Sequence, residues 1–175
     1  MIKLTSIYEN FKSKKYYIFC DMDGVLVDFD KGYYELTGVK THHADAQGSE
    51  MFWELFRYSL KNKKISEYTY WAGLDWQPGG KELWNYIKKY NPYILTAPSR
   101  NPESRAGKKT WVERLPEMKN IYFRYAKYKA DLAGPGKILI DDRKDTIDSW
   151  NAKGGIGIHH TSASSTIKKL QELGL

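Results

Sequence analysis

Five short apolar runs, residues 16–20, 93–96, 121–123, 138–140 and 156–158, limit what this chain can become more than any other feature of it. Each is short for a helix and apolar throughout, the pattern of a strand covered on both faces. Helix-length segments separate the later runs, at 80–90, 102–115, 127–133 and 144–152, and a final helix is expected near 163–173. Strands that alternate with helices require parallel pairing through crossovers. The expected fold is therefore α/β, with a Rossmann-like parallel sheet and helices on both faces.

One interval breaks the rhythm. About seventy residues separate the first run from the second, far more than one crossover needs, so an inserted helical subdomain is expected. Within it, residues 50–58 carry helical apolar spacing, and Gln77-Pro78-Gly79-Gly80 supplies the turn that returns the chain to the sheet. This divides the 175 residues into a core domain, 1–28 and 77–175, and a small helical cap inserted after the first strand, 29–76.

The chemistry gathers at strand ends. Asp21-Met22-Asp23-Gly24-Val25-Leu26-Val27-Asp28 follows the first run directly. Side chains two apart on extended chain point the same way, so Asp21 and Asp23 project together where open parallel sheets bind ligands. Two carboxylates that close call for a divalent cation, and Gly24 permits the turn that follows. Asp-x-Asp-Gly is also ordinary turn chemistry or part of a calcium loop, but here the further acids and terminal Glu of such a loop are missing. A second acid pair, Asp141-Asp142, ends the fourth run, where a helix cap alone would need one acid. At the end of the second run the Thr96 hydroxyl, with backbone N–H groups such as that of Ala97, is placed to hold phosphate oxygens.

Taken in order, the first motif, Leu95-Thr96-Ala97-Pro98-Ser99, the lysines of Lys127-Tyr128-Lys129, and Ile138-Leu139-Ile140-Asp141-Asp142-Arg143 resemble the four motifs of the haloacid dehalogenase-like phosphatases. Phe52-Trp53, Pro78-Gly79, Lys109-Thr110-Trp111-Val112-Glu113-Arg114 and the stretch from Trp150 to Ile158 extend the likeness to the 5'(3')-deoxyribonucleotidase branch and its phage and bacterial relatives. The resemblance implies that Asp21 takes the phosphoryl group and that Asp23 protonates the leaving oxygen, then deprotonates water. It implies Mg2+ held by Asp21, the backbone carbonyl of Asp23 and Asp142, with Asp141 orienting the cluster. It also implies a lysine paired with nucleophile and phosphate. Lys129 is the choice, by its Lys129-Ala130-Asp131-Leu132-Ala133 context, with Lys127 the alternative by its distance from the preceding strand.

Composition narrows the substrates. Lys+Arg 28 against Asp+Glu 21 gives +7, which favours anionic partners, and 14 Tyr with 6 Trp supply rings that can stack on planar ligands. Phe29, Phe52, Trp53, Trp71 and Trp76 of the insertion are candidates to stack on a base, and Arg100 and Lys108 are candidates to bind substrate. The lone Cys20, inside an apolar run, reads as a buried strand residue in a reducing compartment. No apolar stretch is long enough to span a membrane, and a cytoplasmic protein is expected. Residues 1–15 can form an amphipathic helix, read as packing on the domain, and His42-His43 lack the partners of a zinc site.

The expected activity is Mg2+-dependent hydrolysis of (deoxy)ribonucleoside monophosphates by a monomer or homodimer, without a membrane partner. Two other readings fit the same residues. One is an end-processing polynucleotide phosphatase, against which the basic residues lie dispersed in sequence; the other is a phosphate-sensing, receiver-like module.

Overall fold

The computed structural model describes residues 16–40, 49–115 and 120–175. The helix expected over 1–15 and the pair His42-His43 lie outside the described residues.

A five-stranded parallel sheet has the order β3-β2-β1-β4-β5, formed by β1 (Tyr17–Cys20), β2 (Tyr93–Thr96), β3 (Ile121–Phe123), β4 (Lys137–Asp141) and β5 (Ile156–His159). The central strand β1 pairs with β4 from Tyr17 opposite Lys137 to Cys20 opposite Ile140. The apolar runs serve two faces at once. Ile18, Cys20, Ile94, Ile138 and Ile140 join one apolar cluster, while the intervening Phe19, Leu95 and Leu139 meet Ile147 and Trp150 on the other. This is the two-residue period of a strand with both faces covered, and it explains why the sequence shows no polar alternation there.

Eight α-helices surround the sheet: α1 (Phe29–Thr37), α2 (Glu50–Lys63), α3 (Glu67–Gly73), α4 (Gly80–Ile87), α5 (Pro102–Val112), α6 (Ala126–Lys129), α7 (Lys144–Ala152) and α8 (Ala163–Glu172) among the described residues. Local chemistry sets their starts. Asp28, Ser49, Ser66, Asn101 and Ser162 each accept a hydrogen bond from a backbone N–H in the first turn. Several bounds differ from the sequence expectation; the helices expected over 80–90 and 102–115 end at Ile87 and Val112. Helix α2 runs past Tyr58 to Lys63, where Lys64 closes it with φ 56°. Residues 127–133 form a single α-turn followed by a 3-10 turn over Ala130–Leu132, because Ala133 is already extended.

The insertion is stapled where it leaves the sheet. Asp28 N–H donates to Asp75 O at 3.0 Å and Gln77 N–H to Leu26 O at 2.8 Å. Its interior is aromatic: Tyr33 stacks on Phe52 at 4.2 Å between centroids, Phe29 on Trp71 at 5.2 Å, and Phe56 meets Tyr70 edge-on at 4.9 Å. The same cluster continues without a break into Ile18, Ile94 and Ile138 of the sheet. Phe29, expected to stack on a base, is 1% exposed among Tyr33, Phe52, Tyr70 and Trp71. Its ring is used in holding α1 to the other helices.

Helices α3 and α5 approach closely at Gly107. A Cβ built there would lie 2.5 Å from the Tyr68 carbonyl oxygen and 2.7 Å from Trp71 Cβ. Gly107→Ala is expected to force the helices apart and to cost about 2 kcal/mol by urea unfolding; an unchanged midpoint would show the contact to be looser than described.

His160 is buried beside Thr166 Oγ1, 2.8 Å from its Nδ1. Burial, with His159 and Lys169 nearby, lowers its pKa from 6.5 to about 4. Between those values the unfolded chain takes up a proton that the native imidazole refuses. Stability therefore falls as pH drops through this window, by on the order of 2 kcal/mol from this group. The native protein is expected to lose more stability than His160→Gln between pH 7 and pH 4.5, and equal losses would remove His160 as the cause.

Candidate active site

The site lies at the carboxyl edge of the sheet, where the chain leaves β1 for β2 on one side and β4 continues on the other. Asp21 stays in register with β4 through its N–H, which donates to Ile140 O at 2.8 Å. The chain then wraps around one carbonyl: Val25, Leu26 and Val27 N–H groups all donate to Met22 O, and Gly24 takes φ 74° to make the wrap possible. This tight loop fixes Asp21 and Asp23, each 5% exposed, on one side of it.

Lys129 is the centre of the charge arrangement. Buried at 1% exposure, its Nζ lies 2.7 Å from Asp21 Oδ2 and 2.8 Å from Asp141 Oδ2. Burial alone would lower the lysine's pKa, but the carboxylates of Asp141 and Asp21 outweigh it and hold the ammonium well above its usual range. Burial raises the Asp141 carboxyl to about 6, with Lys129 opposing and Asp21 adding to the rise. The second Asp141 oxygen accepts from Arg143 N–H at 3.0 Å. Lys127, the alternative from sequence, is exposed, with its Nζ 4.7 Å from the Tyr128 ring centre.

A second buried lysine holds the other acid. Lys108, 0% exposed, pairs closely with Asp23 Oδ2, donates to Thr96 Oγ1 at 3.1 Å and lies 4.2 Å from the Trp71 ring centre. Sequence placed Lys108 with Arg100 among residues that reach out to substrate. The fold instead turns it inward, because Gly107 seats α5 against α3 and directs the next side chain under the site. Asp23 Oδ1 is buried and accepts no hydrogen bond among the described residues. Thr96, at 0% exposure, ends β2 beside it.

The donor set fits a hard cation. Single carboxylate oxygens of Asp21, Asp141 and Asp142 lie within 4.8 Å of one another, an all-oxygen set suited to a divalent ion. The Asp23 carboxylate pairs with Lys108 and is not one of the three in this group. Asp141, expected only to orient the others, belongs to the group.

A cavity of about 610 Å³ opens over Asp23. Ala97, Trp53, Phe56 and Arg100 line it. Trp71 reaches it too, but at 2% exposure with Phe29 and Lys108 against its ring it offers no free face. Sequence reasoning missed Glu67. It is 7% exposed on the cavity wall, and its Oε1 accepts from Trp71 Nε1 at 3.2 Å and closely from Ser99 Oγ, tying α3 to the loop after β2. No motif marks it, since its link to Ser99 crosses 32 residues of chain.

Neither a protein-family profile nor a curated protein matches the sequence. Solved structures do resemble the fold. A haloacid dehalogenase-like family hydrolase from Streptococcus pneumoniae superimposes with a TM-score of 0.53 at 16% identity, over 92% of this chain and 98% of its own. A haloacid dehalogenase-superfamily hydrolase from Ehrlichia chaffeensis gives 0.50 at 11% identity, over 91% and 97%. The L-2-haloacid dehalogenase of Xanthobacter autotrophicus gives 0.50 at 10%, over 89% and 82%. The chain thus has the α/β fold of haloacid dehalogenase-like hydrolases. Among the described residues no helix is long and apolar enough to cross a membrane.

Removing Lys129 would leave two buried carboxylates facing each other. Lys129→Met is expected to cost about 3 kcal/mol in urea unfolding, and adding Asp141→Asn to restore about half of that loss. A double variant no more stable than the single one would show that the carboxylate repulsion is not the reason.

Proposed function

We propose that this chain is a Mg2+-dependent phosphomonoesterase that forms an aspartyl phosphate on Asp21, with nucleoside monophosphates as its substrates. The observation that carries the reading is the pairing of Asp21 with buried Lys129 next to a second acid, Asp23, whose free oxygen faces no protein donor.

The two acids have separable tasks. An Asp21 carboxylate oxygen attacks phosphorus and forms the new O–P bond while the bond to the leaving oxygen breaks; Asp23 gives that oxygen its proton. In the second half Asp23 takes a proton from the attacking water, the acyl phosphate bond breaks, and inorganic phosphate leaves with Asp21 restored. Lys129, the Thr96 hydroxyl and the Ala97 backbone hold the phosphoryl oxygens in this scheme, and Lys108 keeps Asp23 in place. Asp21, Asp141 and Asp142 would hold the ion, which when bound offsets the charge of a phosphate dianion and polarises a phosphoryl oxygen.

Nucleotides are supported by three features. The cavity volume suits a ligand of that size, its wall offers the partly exposed Trp53 to a flat ring, and the motifs of the sequence resemble the deoxyribonucleotidase branch. Of the rings expected to contact a base, Trp53 keeps a partly exposed side on the cavity.

Phosphate release from nucleoside monophosphates and sugar phosphates, and halide release from haloacids, with Mg2+ and with EDTA, test the proposal. Mononucleotide hydrolysis that EDTA abolishes is expected, with a loss of about three or more orders of magnitude in Asp21→Asn. Retained activity in that variant would remove Asp21 as the nucleophile. Preference for sugar phosphates would overturn the substrate assignment, and a long-lived phosphoprotein would favour a sensing module.

A further inference from the structure

The basic residues look dispersed along the sequence, but several flank the β3 edge beside the cavity. Residues 121–129 contain no Asp or Glu. Tyr122, Tyr125 and Tyr128 are 41%, 42% and 46% exposed, and Arg124 and Lys127, which alternate with them, are exposed as well. From α5, the exposed Arg105 lies 5.3 Å over the Phe123 ring. Strand β3 is the edge of the sheet, so no further strand of the sheet covers this side.

Several cations here have no carboxylate partner among the described residues. Arg57 and Arg143 on the cavity wall hold Glu50 at 3.0 Å and Asp145 at 2.6 Å. Arg100, Arg105, Arg124 and Lys127 form no ion pair among the described residues. The surface also runs into the site, since Tyr125, Lys127 and Arg100 line the cavity that reaches Asp23.

We propose that Tyr122, Arg124, Tyr125, Lys127 and Tyr128 form a track for single-stranded nucleic acid that delivers a strand's terminal phosphate to the cavity. Rings interleaved with cations match a strand's two chemical faces, bases that stack and phosphates that need charge. An acidic peptide would use the cations and leave the rings wet. The delivery step rests on the phosphatase reading above, whereas binding along the track does not. Mononucleotides and strand ends then become substrates of one site, the strand gaining affinity from nucleotides that never enter the cavity.

The test is fluorescence anisotropy with a 5'-phosphorylated, 3'-labelled deoxythymidine strand about twelve nucleotides long, long enough to cover a typical single-strand site. Asp21→Asn protein, and the native chain in EDTA, keep the phosphate on the strand. Tyr122→Ala and Tyr128→Ala are each expected to weaken binding about tenfold, while Tyr122→Phe binds like the native chain. Affinity should fall steeply with salt, and Arg124→Gln should reduce the slope of log K against log salt by about 0.7. Mononucleotide turnover should be unchanged in Tyr122→Ala and Tyr128→Ala. Absence of saturable binding below about 100 μM at low salt, equal binding by the alanine variants, or displacement by polyglutamate as readily as by unlabelled strand would overturn the track. Ring-dependent strand binding without mononucleotide hydrolysis would leave the track standing and remove the phosphatase reading; hydrolysis without strand binding would do the reverse.

Discussion

A single buried ammonium group, that of Lys129, reconciles two carboxylates which the sheet forces together. Parallel pairing of β1 with β4 sets Asp21 and Asp141 side by side at the same sheet edge, and burial makes their mutual repulsion expensive. The lysine reaches them from α6, a helix of one turn that follows the edge strand β3. Sheet order, the position of α6 and the protonation of the acids are thus parts of one electrostatic arrangement. Asp142 joins Asp21 and Asp141 to complete an all-oxygen donor set suited to a divalent cation.

The insertion takes part in that arrangement as well as covering it. Its aromatic interior is continuous with the sheet's apolar face, so its helices cannot rearrange without disturbing the core. Two polar links then connect it to the chemistry. Trp71 lies under Lys108, which holds Asp23, and Glu67 holds both Trp71 and the Ser99 hydroxyl of the loop after β2. Both links depend on Gly107, where the absence of a side chain lets α3 and α5 touch. A buried carboxylate and a buried lysine are costly unless paired, which makes these links specific to one packing of the helices.

Charge is distributed in two distinct ways. Around Asp21 and Asp23 the lysines are buried, paired and fixed, suited to positioning acids for chemistry. At the β3 edge the cations are exposed and lack ion pairs among the described residues, beside tyrosines that are two-fifths exposed or more. The net charge of +7 describes neither. Only their separate positions distinguish a group that shapes the reaction from one that meets an anion at the surface.

The parallel pairing of the strands was legible because an apolar run with no alternation has few ways to bury itself, and helix-length spacers permit only crossovers; the strand order was not. Asp21, Asp23, Thr96, Asp141 and Asp142 were legible for a related reason: each stands at the end of such a run, so locating the strand locates the acid. The lysines were not. Lys129 was preferred over Lys127 from its sequence context, but its burial between two carboxylates came only from α6 lasting one turn, and Lys108 read as a surface base because the contact of α5 with α3 at Gly107 has no local signal. The rings of Phe29 and Trp71 looked available for a ligand because helical spacing does not say which face a neighbour will cover. Glu67 carried no motif, since its link to Ser99 crosses to another part of the chain, and the basic and aromatic run at 122–128 gained meaning only from its place on the edge strand beside the cavity. Strand-borne chemistry is fixed by local pattern, whereas burial and pairing of long side chains are fixed by contacts that exist only after the helices pack.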